Sequence, residues 1–388
     1  MSGPSICAGR ASNPQNEAPM AEGREHRVNY RIKGMVGMPP PQVVKPRDLQ
    51  SFSDSILEKM GVPREDQCVV TAALLDAELR GLETHGIVRL TQYVPLIQKG
   101  VINPRPRLRL IDESETHALL DNDYGFGFLG AVKAMDLCIA KARQKGIAMA
   151  GVRNSSHFGA AGYYARRASE KGLIGFATSN SYPVMAPPGT LTPTVGNNPL
   201  SYAFPAGDHP PIVFDMATSI VSQGRIKQHG NQGKPIPPGW AYDREGNPTE
   251  NPEAFFLLAP LGEGGYKGFG LALAMDVLAG VLTGSLFGRN FTSGPGSRGC
   301  GHFFMAIDPR RFMDPAEYQK RMQELIGQVK KARPRNVGEE PVSLPGIRGW
   351  TRKDRRMQEG IPVLVSTLDL LDRLGNEFGL PLLKRGRL

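Results

Sequence analysis

His157 is the residue best suited to acid–base chemistry, and it lies in a stretch of small residues, 154–162. An apolar run typical of a β-strand precedes it at 146–152, and an Ala- and Arg-rich stretch that predicts a helix follows at 160–171. His157 therefore occupies a strand-to-helix loop, where the helix dipole opposes protonation and lowers its pKa. Such an imidazole suits proton transfer near neutral pH, although a buried histidine that caps a turn is the alternative.

A second polar group, Thr84, His85 and Arg89, follows the second predicted helix. If a new helix starts near residue 87, His85 and Arg89 lie one turn apart on the same side of it. The planar guanidinium of an arginine binds two carboxylate oxygens at once, so Arg89 is a candidate substrate-binding residue. The alternative is a surface arginine that follows a helix cap.

Two further candidates stand at the ends of predicted elements. Asp215 follows the apolar strand 211–214, where doubly wound sheets place ligand-binding groups, although it could equally cap the next helix. Lys267 lies among glycines before an apolar helix, 271–282, and this arrangement suits a phosphate group. The spacing of a P-loop is absent.

Residues 125–130 have the formal G-x-G-x-x-G spacing between a strand and a helix. A dinucleotide-binding loop needs an acidic residue about twenty positions further on, at the end of the second strand. Arg153 and Asn154 stand there instead, and Phe126 and Phe128 would crowd a pyrophosphate. We interpret the stretch as a tight structural turn.

Periodicity and turn residues predict an α/β protein. Helices are expected at 46–60, 64–81, 131–145, 160–171, 271–282, 315–332 and 361–375, and strands at 108–111, 117–121, 146–152, 173–178, 201–204, 211–214 and within 298–309. A Pro- and Arg-rich linker is expected between the last two helices.

The net charge of +10 is concentrated at the two ends of the 388-residue chain. Residues 1–47 carry seven Lys or Arg against three Glu, and residues 331–388 carry twelve basic against seven acidic side chains. The nearly neutral body argues against a folded nucleic-acid groove. No apolar run reaches about 18 residues, so the sequence predicts no membrane span.

Only four cysteines occur, and none has the spacing of a zinc site. We therefore expect a reducing, cytoplasmic compartment, with no disulfide framework and no metal centre. Residues 1–43 have neither a periodic apolar face nor an apolar signal core. They are expected to form a disordered basic extension.

Six motifs can be compared with known families: THGIVR (84–89), NSSHFGAAG (154–162), GNNP (196–199), DMAT (215–218), GYKGFG (265–270) and HFFMAID (302–308). Together, in this order over residues 45–380, they closely resemble the type 2 malate/L-lactate dehydrogenase family. That family also contains ureidoglycolate and sulfolactate dehydrogenases and a Δ1-piperideine-2-carboxylate reductase. The chain departs from it at Thr84, which replaces a commoner Ser, and at Phe128, which replaces a usual Gln.

The resemblance implies a non-Rossmann α/β fold with a central NAD(P)-binding domain around a mixed sheet, residues 116–308. It also implies a mainly helical domain built from both chain ends. Residues 44–115 would form its substrate-binding and dimerisation half, and residues 309–388 would pack against them. The implied protein is a homodimer that binds NAD or NADP and a small-molecule substrate.

The resemblance also implies roles for individual residues. His157 and His85 would be the acid–base residues, with Thr84 and Asp215 as relay partners. Arg89 and Arg298 would hold the substrate carboxylate. The implied cofactor-binding residues are Phe158, Gly159, Ser181, Asn198, Asp215, Met216, Ala217 and Lys267.

The leading hypothesis is an NAD(P)-dependent oxidoreductase that interconverts a small 2-hydroxy acid, such as malate or lactate, and its 2-oxo acid by hydride transfer. One alternative is NAD(P)H-dependent reduction of a C=N bond beside a carboxylate. Another is a catalytically dead binding protein with basic tails. The sequence leaves open the substrate, the choice between NAD and NADP, and which histidine takes the proton.

Overall fold

The computed structural model describes residues 40–291, 298–334 and 342–386. The α-helices in these ranges are α1 (Pro46–Lys59), α2 (Arg64–Arg80), α3 (Leu90–Gln98), α4 (Gly127–Lys145), α5 (Ala161–Ser169), α6 (Gln223–Asn231), α7 (Tyr266–Asp276), α8 (Pro315–Lys330), α9 (Ile347–Glu359) and α10 (Val365–Glu377). A π-helical turn, Val277–Val281, continues α7. Within the described ranges, none of these helices has the length and apolar character needed to cross a bilayer.

The strands are β1 (Gln42–Val44), β2 (Arg109–Glu113), β3 (His117–Asp121), β4 (Ile147–Ser155), β5 (Ile174–Ser179), β6 (Leu200–Ala206), β7 (His209–Met216), β8 (Ala241–Tyr242), β9 (Pro248–Thr249), β10 (Leu257–Leu258), β11 (Cys300–Ile307) and β12 (Ile361–Val363). Seven of them form a central sheet in the order β2-β3-β4-β11-β5-β6-β7. β3 and β4 pair parallel, and the other neighbours pair antiparallel. The predicted mixed sheet is therefore confirmed.

The two faces of the central sheet are covered differently. α4 and α5 pack closely on one face because their contact residues are small, as with the buried Ala134, Ala165 and Ala168. A Cβ on Gly175 of β5 would lie only 2.2 Å from Ala165 O. α7 and its π-helical turn lie on the opposite face, where Met275 and Leu278 pack on Phe303.

Both ends of the described chain contribute to one helical core. The cluster contains Leu49 of α1, Leu74 of α2, Leu90 of α3 and Leu371 of α10, and Phe126 and Phe128 also pack into it. β1 pairs antiparallel with β12, and Val43 exchanges two backbone hydrogen bonds with Gly386, of 3.0 and 2.8 Å. The segments before and after the central sheet therefore meet.

The predicted extension, residues 1–43, is wrong at its C-terminal end. Residues 1–39 lie outside the described ranges, but Gln42 and Val43 belong to β1. A strand of three residues is too short to show the alternating pattern by which sequence analysis recognises strands.

The predicted linker between the last two helices is also wrong, because it contains α9. α9 has few apolar residues, so its periodicity is hidden, and it packs through charged and aromatic groups instead. The Arg80 guanidinium lies 4.1 Å from the centre of the Trp350 ring, and Arg356 bonds Glu83 at 2.8 Å. The sequence also missed α6, and residues 361–363 are β12 rather than the start of the last helix.

Residues 125–130 include the first turn of α4, which begins at Gly127, and other parts of the protein contact them closely. Asn122 Nδ2 donates to Gly125 O at 3.1 Å and to Phe126 O at 3.0 Å. A Cβ on Gly127 would lie 2.3 Å from Ser156 O. These contacts support the structural interpretation and bring the start of α4 against the loop that carries His157.

Candidate active site

Two histidines from distant parts of the chain lie face to face. His85 ends a 3-10 turn, Glu83–His85, shortly after the Gly81 cap of α2, and His157 lies between β4 and α5. Their ring centroids are 5.7 Å apart, and the ring planes differ by 19°. The two acid–base candidates from the sequence therefore share one site.

Hydrogen bonds fix the orientation of both rings. Thr84 Oγ1 lies 3.1 Å from His85 Nδ1, and Tyr93 Oη lies 2.7 Å from His157 Nδ1. The Gly159 N–H points at the same His157 nitrogen from 3.3 Å, in a backbone conformation with φ of +79° that favours glycine. These bonds engage Nδ1 of each ring, and no described hydrogen bond engages Nε2 of either one.

Tyr93, on α3, is a site residue that the sequence analysis missed. Its side chain is 2% exposed and packs edge-on against Phe126 and Phe128. Burial raises the pKa of its phenol, which stays protonated at neutral pH. The sequence feature that could have identified Tyr93 is its position four residues, or one helical turn, after Arg89.

Both histidines are held neutral. Burial, and then the positive charge of Arg89, lowers the pKa of His85 to about 3. Burial is also the main reason that the pKa of His157 lies well below its usual value, followed by the charges of Arg89, His85 and His302. The direction agrees with the prediction, but the helix dipole that the sequence suggested is not the main cause.

Arg89 stands beside the histidine pair in a fixed position. Its Nε donates to Thr84 O at 2.6 Å and its Nη1 to Gln92 Oε1 at 2.8 Å. The first turn of α6 approaches it, so that a Cβ on Gly224 would lie 3.9 Å from Arg89 Nη2. A half-buried guanidinium held in this way can bind a carboxylate next to the two imidazoles.

Asp215, at the end of β7, has a different partner from the predicted relay. Its Oδ2 accepts a 2.8 Å hydrogen bond from Gly162 N–H of α5, and no described hydrogen bond joins it to Thr84 or His85. Part of the residue is open to solvent, yet protein atoms surround the carboxyl group closely. That burial raises the pKa of Asp215 to about 6, although the Gly162 bond and Arg166 oppose it.

The predicted cofactor-binding residues differ in exposure and in position. Phe158 and Asn198 are buried, and Asn198 links two segments by accepting from Ser181 N–H at 3.0 Å and donating to Ala272 O at 2.8 Å. Lys267 is exposed on the first turn of α7. Gly159, Ser181, Met216 and Ala217 lie in or beside the loops that follow β4, β5 and β7.

His302, on β11, is a buried histidine beneath the site. Ser179 Oγ donates to the carbonyls of Asn180 and Gly301, so it must accept from His302 Nδ1–H at 2.9 Å. His302 Nε2 then accepts from Ser155 Oγ at 2.8 Å. Its ring stacks on the ring of Phe158, with 4.6 Å between the two centroids. This stacking holds Phe158, the residue that follows His157, in place.

The described contact of Arg298 is with Tyr124 rather than with His85 or His157. Its guanidinium stands 3.7 Å from the centre of the Tyr124 ring, and no described hydrogen bond joins it to Arg89, His85 or His157. Across the described ranges, no group of three or more His, Cys, Asp or Glu side chains is arranged to hold a metal ion.

The site thus combines two imidazoles of lowered pKa with a guanidinium held by two hydrogen bonds. The chain belongs to the malate/L-lactate dehydrogenase family, whose sequence model matches residues 44–372, and it is an oxidoreductase. It is 40% identical over 345 residues to a malate dehydrogenase of Pyrococcus abyssi, covering 86% of this chain and 94% of that protein. It is 31% identical over 320 residues to an Escherichia coli ureidoglycolate dehydrogenase (NAD(+)), covering 81% and 91%.

Two solved structures are also similar. A malate dehydrogenase from Entamoeba histolytica matches with a TM-score of 0.83 and 30% identity, over 88% of this chain and 99% of that one. A Δ1-piperideine-2-carboxylate reductase from Pseudomonas syringae matches with a TM-score of 0.77 and 29% identity, over 86% and 99%.

Proposed function

We propose that the protein interconverts a small 2-hydroxy acid and its 2-oxo acid by hydride transfer with NAD or NADP. The observation that carries this proposal is the stacked His85–His157 pair beside Arg89, with ring centroids 5.7 Å apart. Dehydrogenation of a 2-hydroxy acid removes a hydride from carbon and a proton from oxygen. The site needs a proton acceptor and a carboxylate-binding group within one substrate length, and these three residues supply both.

His157 is our candidate for the proton acceptor. If its Nδ1–H donates to Tyr93 Oη, 2.7 Å away, the lone pair of Nε2 is free to take the hydroxyl proton. This tautomer gives up the longer, 3.3 Å bond from the Gly159 N–H, which needs a lone pair on Nδ1. Tyr93 then stabilises the imidazolium that forms. His85 is the second candidate, because Thr84 Oγ1 can orient its ring in the same way at 3.1 Å.

The residues around α7 fit a dinucleotide. Lys267 is exposed on the first turn of this helix, whose N-terminal N–H groups favour a phosphate, and Thr218 Oγ1 nearby is buried without a described hydrogen-bond partner. Bound nicotinamide would supply the hydride acceptor or donor. We assign the contacts of the dinucleotide to Lys267, Ser181, Met216 and Ala217. The proposed cofactor-binding domain is residues 116–308.

The test is steady-state turnover of a panel of 2-oxo acids with NADH and with NADPH. We expect activity with one or more of them, and Arg89→Ala should raise KM for the acid while His157→Gln lowers kcat by about 10²- to 10⁴-fold. If His85→Gln lowers kcat and His157→Gln does not, the proton acceptor is His85. Absence of turnover with every substrate of the panel would contradict the proposal.

Reduction of a C=N bond beside a carboxylate is the second candidate, favoured by the likeness to the piperideine-2-carboxylate reductase structure. It would use the same arginine for the carboxylate. A cyclic imine carboxylate therefore belongs in the panel. A higher kcat/KM for the imine than for every 2-oxo acid would replace the first proposal with this one.

A further inference from the structure

The segment 83–89 carries both His85 and Arg89, and its own hydrogen bonds make it a compact unit. It consists of two consecutive 3-10 turns that meet at Gly86. The Arg89 N–H donates to Gly86 O at 3.0 Å, and the Arg89 Nε donates to Thr84 O at 2.6 Å. A displacement in the middle of the segment would therefore move the imidazole and the guanidinium together.

One buried carboxyl group lies against the middle of this segment. Glu78, on α2, is 4% exposed, and its Oε1 accepts a 2.9 Å hydrogen bond from the Ile87 N–H. Ile87 is 1% exposed, and no other described hydrogen bond engages its N–H. Because a buried N–H without a partner is unfavourable, this bond fixes the place of Ile87.

The backbone of Gly86 packs against the same carboxyl group. A Cβ at residue 86 would lie 2.1 Å from Glu78 Oε1 and 2.4 Å from Glu78 Cδ. Gly86 has a φ of −89°, so glycine is needed here for space and not for its backbone conformation. Glu78 therefore meets two consecutive residues, 86 and 87, which lie between His85 and Arg89.

The carboxyl group of Glu78 is mostly protonated, and so neutral, at pH 7. Burial raises its pKa to about 8, and the charge of Glu83 acts in the same direction. The Ile87 N–H bond and the charge of Arg356 oppose this shift. A glutamine side chain at position 78 would offer the same neutral acceptor to the Ile87 N–H.

A cation from the C-terminal part of the chain holds the start of the same segment. Arg356, on α9, is 7% exposed. Its Nη1 donates to Glu78 O, and its Nη2 donates to Glu83 Oε1 at 2.8 Å. Arg356 therefore joins the end of α2 to the 83–89 segment.

We propose that Glu78 is a positioning residue, which sets the place of His85 and Arg89 by holding residues 86 and 87. No described hydrogen bond joins Glu78 to the side chain of His85 or Arg89, so it acts through the backbone. Arg356 supports it at the start of the segment. This inference rests on the proposed function, because it assigns Glu78 a part in bringing Arg89 to the substrate carboxylate.

The first experiment compares Glu78→Leu with Glu78→Gln in steady-state turnover of a 2-oxo acid at about pH 7. Leucine removes the acceptor, so KM for the acid should rise about 10- to 100-fold, as expected for a displacement of about 1 Å. The change in kcat should be much smaller, since His157, the proposed proton acceptor, lies on another loop. Glutamine should keep KM close to the wild-type value.

Thr71→Val is the matched control on the same helix. Thr71 is 2% exposed, and its Oγ1 shares a 2.9 Å hydrogen bond with Ser53 Oγ of α1. This change should lower the thermal midpoint and leave KM unchanged. A loss of stability alone lowers kcat by reducing the folded fraction, whereas a misplaced Arg89 raises KM.

Gly86→Ala tests the same contact from the other side. Its added carbon would lie 2.1 Å from Glu78 Oε1, so the segment must move away from the carboxyl group. KM for the acid should rise as in Glu78→Leu, although the acceptor is still present. Circular dichroism should show that all four variants are folded.

The second experiment does not depend on turnover. Amide hydrogen exchange of residues 83–89 is measured by mass spectrometry on the full chain without substrate. We expect faster exchange in Glu78→Leu and in Arg356→Met, because each removes a hydrogen bond that holds the segment. Glu78→Gln should exchange like the wild type, and so should Arg348→Met, which changes an exposed arginine of α9.

Three outcomes would overturn the inference. Unchanged exchange in Glu78→Leu would show that the carboxyl group does not hold the segment. Faster exchange with an unchanged KM would reduce Glu78 to a structural role. A KM in Glu78→Gln as high as in Glu78→Leu would contradict the neutral acceptor. If the wild-type chain turns over no 2-oxo acid, the proposed function fails, and hydrogen exchange still decides whether Glu78 holds the segment.

Discussion

The 2.7 Å contact between Tyr93 Oη and His157 Nδ1 engages one nitrogen of the ring and leaves Nε2 for the proposed substrate. A phenol has one proton to give and can also accept, so it can serve both the neutral and the protonated imidazole. Because burial raises the pKa of Tyr93, the phenol adds no charge of its own to the site. In the proposed reaction, Tyr93 would therefore stabilise both the neutral and the protonated state of His157.

Replacing Tyr93 by Phe should lower kcat by about 10- to 100-fold, because the bond to a charged imidazolium is worth roughly 1.5–3 kcal/mol. KM should change little, since Tyr93 does not hold the carboxylate. The control is Tyr318→Phe, which removes a 3.2 Å bond to Pro205 O away from the site. An unchanged kcat in Tyr93→Phe would remove the phenol from the reaction.

Asp215 makes the free energy of unfolding depend on pH, and the direction of that dependence follows from its raised pKa. Its pKa is raised from the ordinary 3.8 to about 6 in the folded protein, mainly by burial. The folded state therefore binds the proton more tightly than the unfolded state. The contribution to stability is fully present below pH 4 and is lost as the pH rises through 6.

Asp215→Asn should therefore raise the thermal midpoint at about pH 7.5 more than at about pH 4, measured without cofactor. The amide oxygen can still accept the Gly162 N–H bond, which is 2.8 Å in the native site. Asp369→Asn, on the exposed side of α10, is the control for loss of one carboxylate. An equal change at the two pH values would contradict the shifted pKa.

At the scale of elements, the start of α4 supports the loop that carries His157. Gly127 does not have a positive φ, so its importance comes from space rather than from backbone strain. A Cβ at this position would lie 2.3 Å from Ser156 O and 2.8 Å from the His157 backbone. The helix and the loop that carries His157 can approach this closely only because residue 127 is glycine.

Gly127→Ala should cost roughly 1–3 kcal/mol of unfolding free energy, because backbone atoms must move. The control is Gly327→Ala in α8, where nothing lies within 4 Å of the added carbon. That change should stabilise the protein by about 0.5–1 kcal/mol through helix propensity. Denaturant unfolding of both variants is the measurement, and a neutral Gly127→Ala would show that the loop yields without cost.

Elements with strong apolar periodicity could be predicted from the sequence, whereas elements held by pairwise contacts could not. α1 and α2 were predicted to within a residue of their observed ends. α9 was not predicted, because it is held by contacts between residues that are distant in the chain. Arg80 lies over the Trp350 ring, and Arg356 donates a hydrogen bond to Glu83. Likewise the sequence marked His85 and His157 as candidates, but only the fold brings them together and adds Tyr93.

At the scale of the whole molecule, a buried carboxylate ties three separate segments together. Asp76 of α2 pairs with Arg80 at 3.1 Å and with Arg166 of α5 at 2.7 Å, and Lys353 of α9 lies 3.6 Å away. These cations keep the pKa of Asp76 low in spite of its burial. The helical segments are therefore joined to the central sheet by charge as well as by packing.

The N-terminal boundary gives a prediction for the whole chain. A protein that starts at residue 40 should keep the thermal midpoint of the full chain, whereas one that starts at residue 46 should lose stability. The second truncation removes β1, including Val44, which is 0% exposed and so accounts for about 1.5–3 kcal/mol. A large loss in the first truncation would show that residues 1–39 dock on the fold.

The backbone bonds between Val43 and Gly386, 3.0 and 2.8 Å long, bring the two ends of the described chain side by side. A short peptide could join them without disturbing β1 or β12. New ends could then be opened at an exposed turn such as Gly233, which has free space around it. The fold is therefore suited to circular permutation, in which the order of the segments along the chain changes while their arrangement in space is kept.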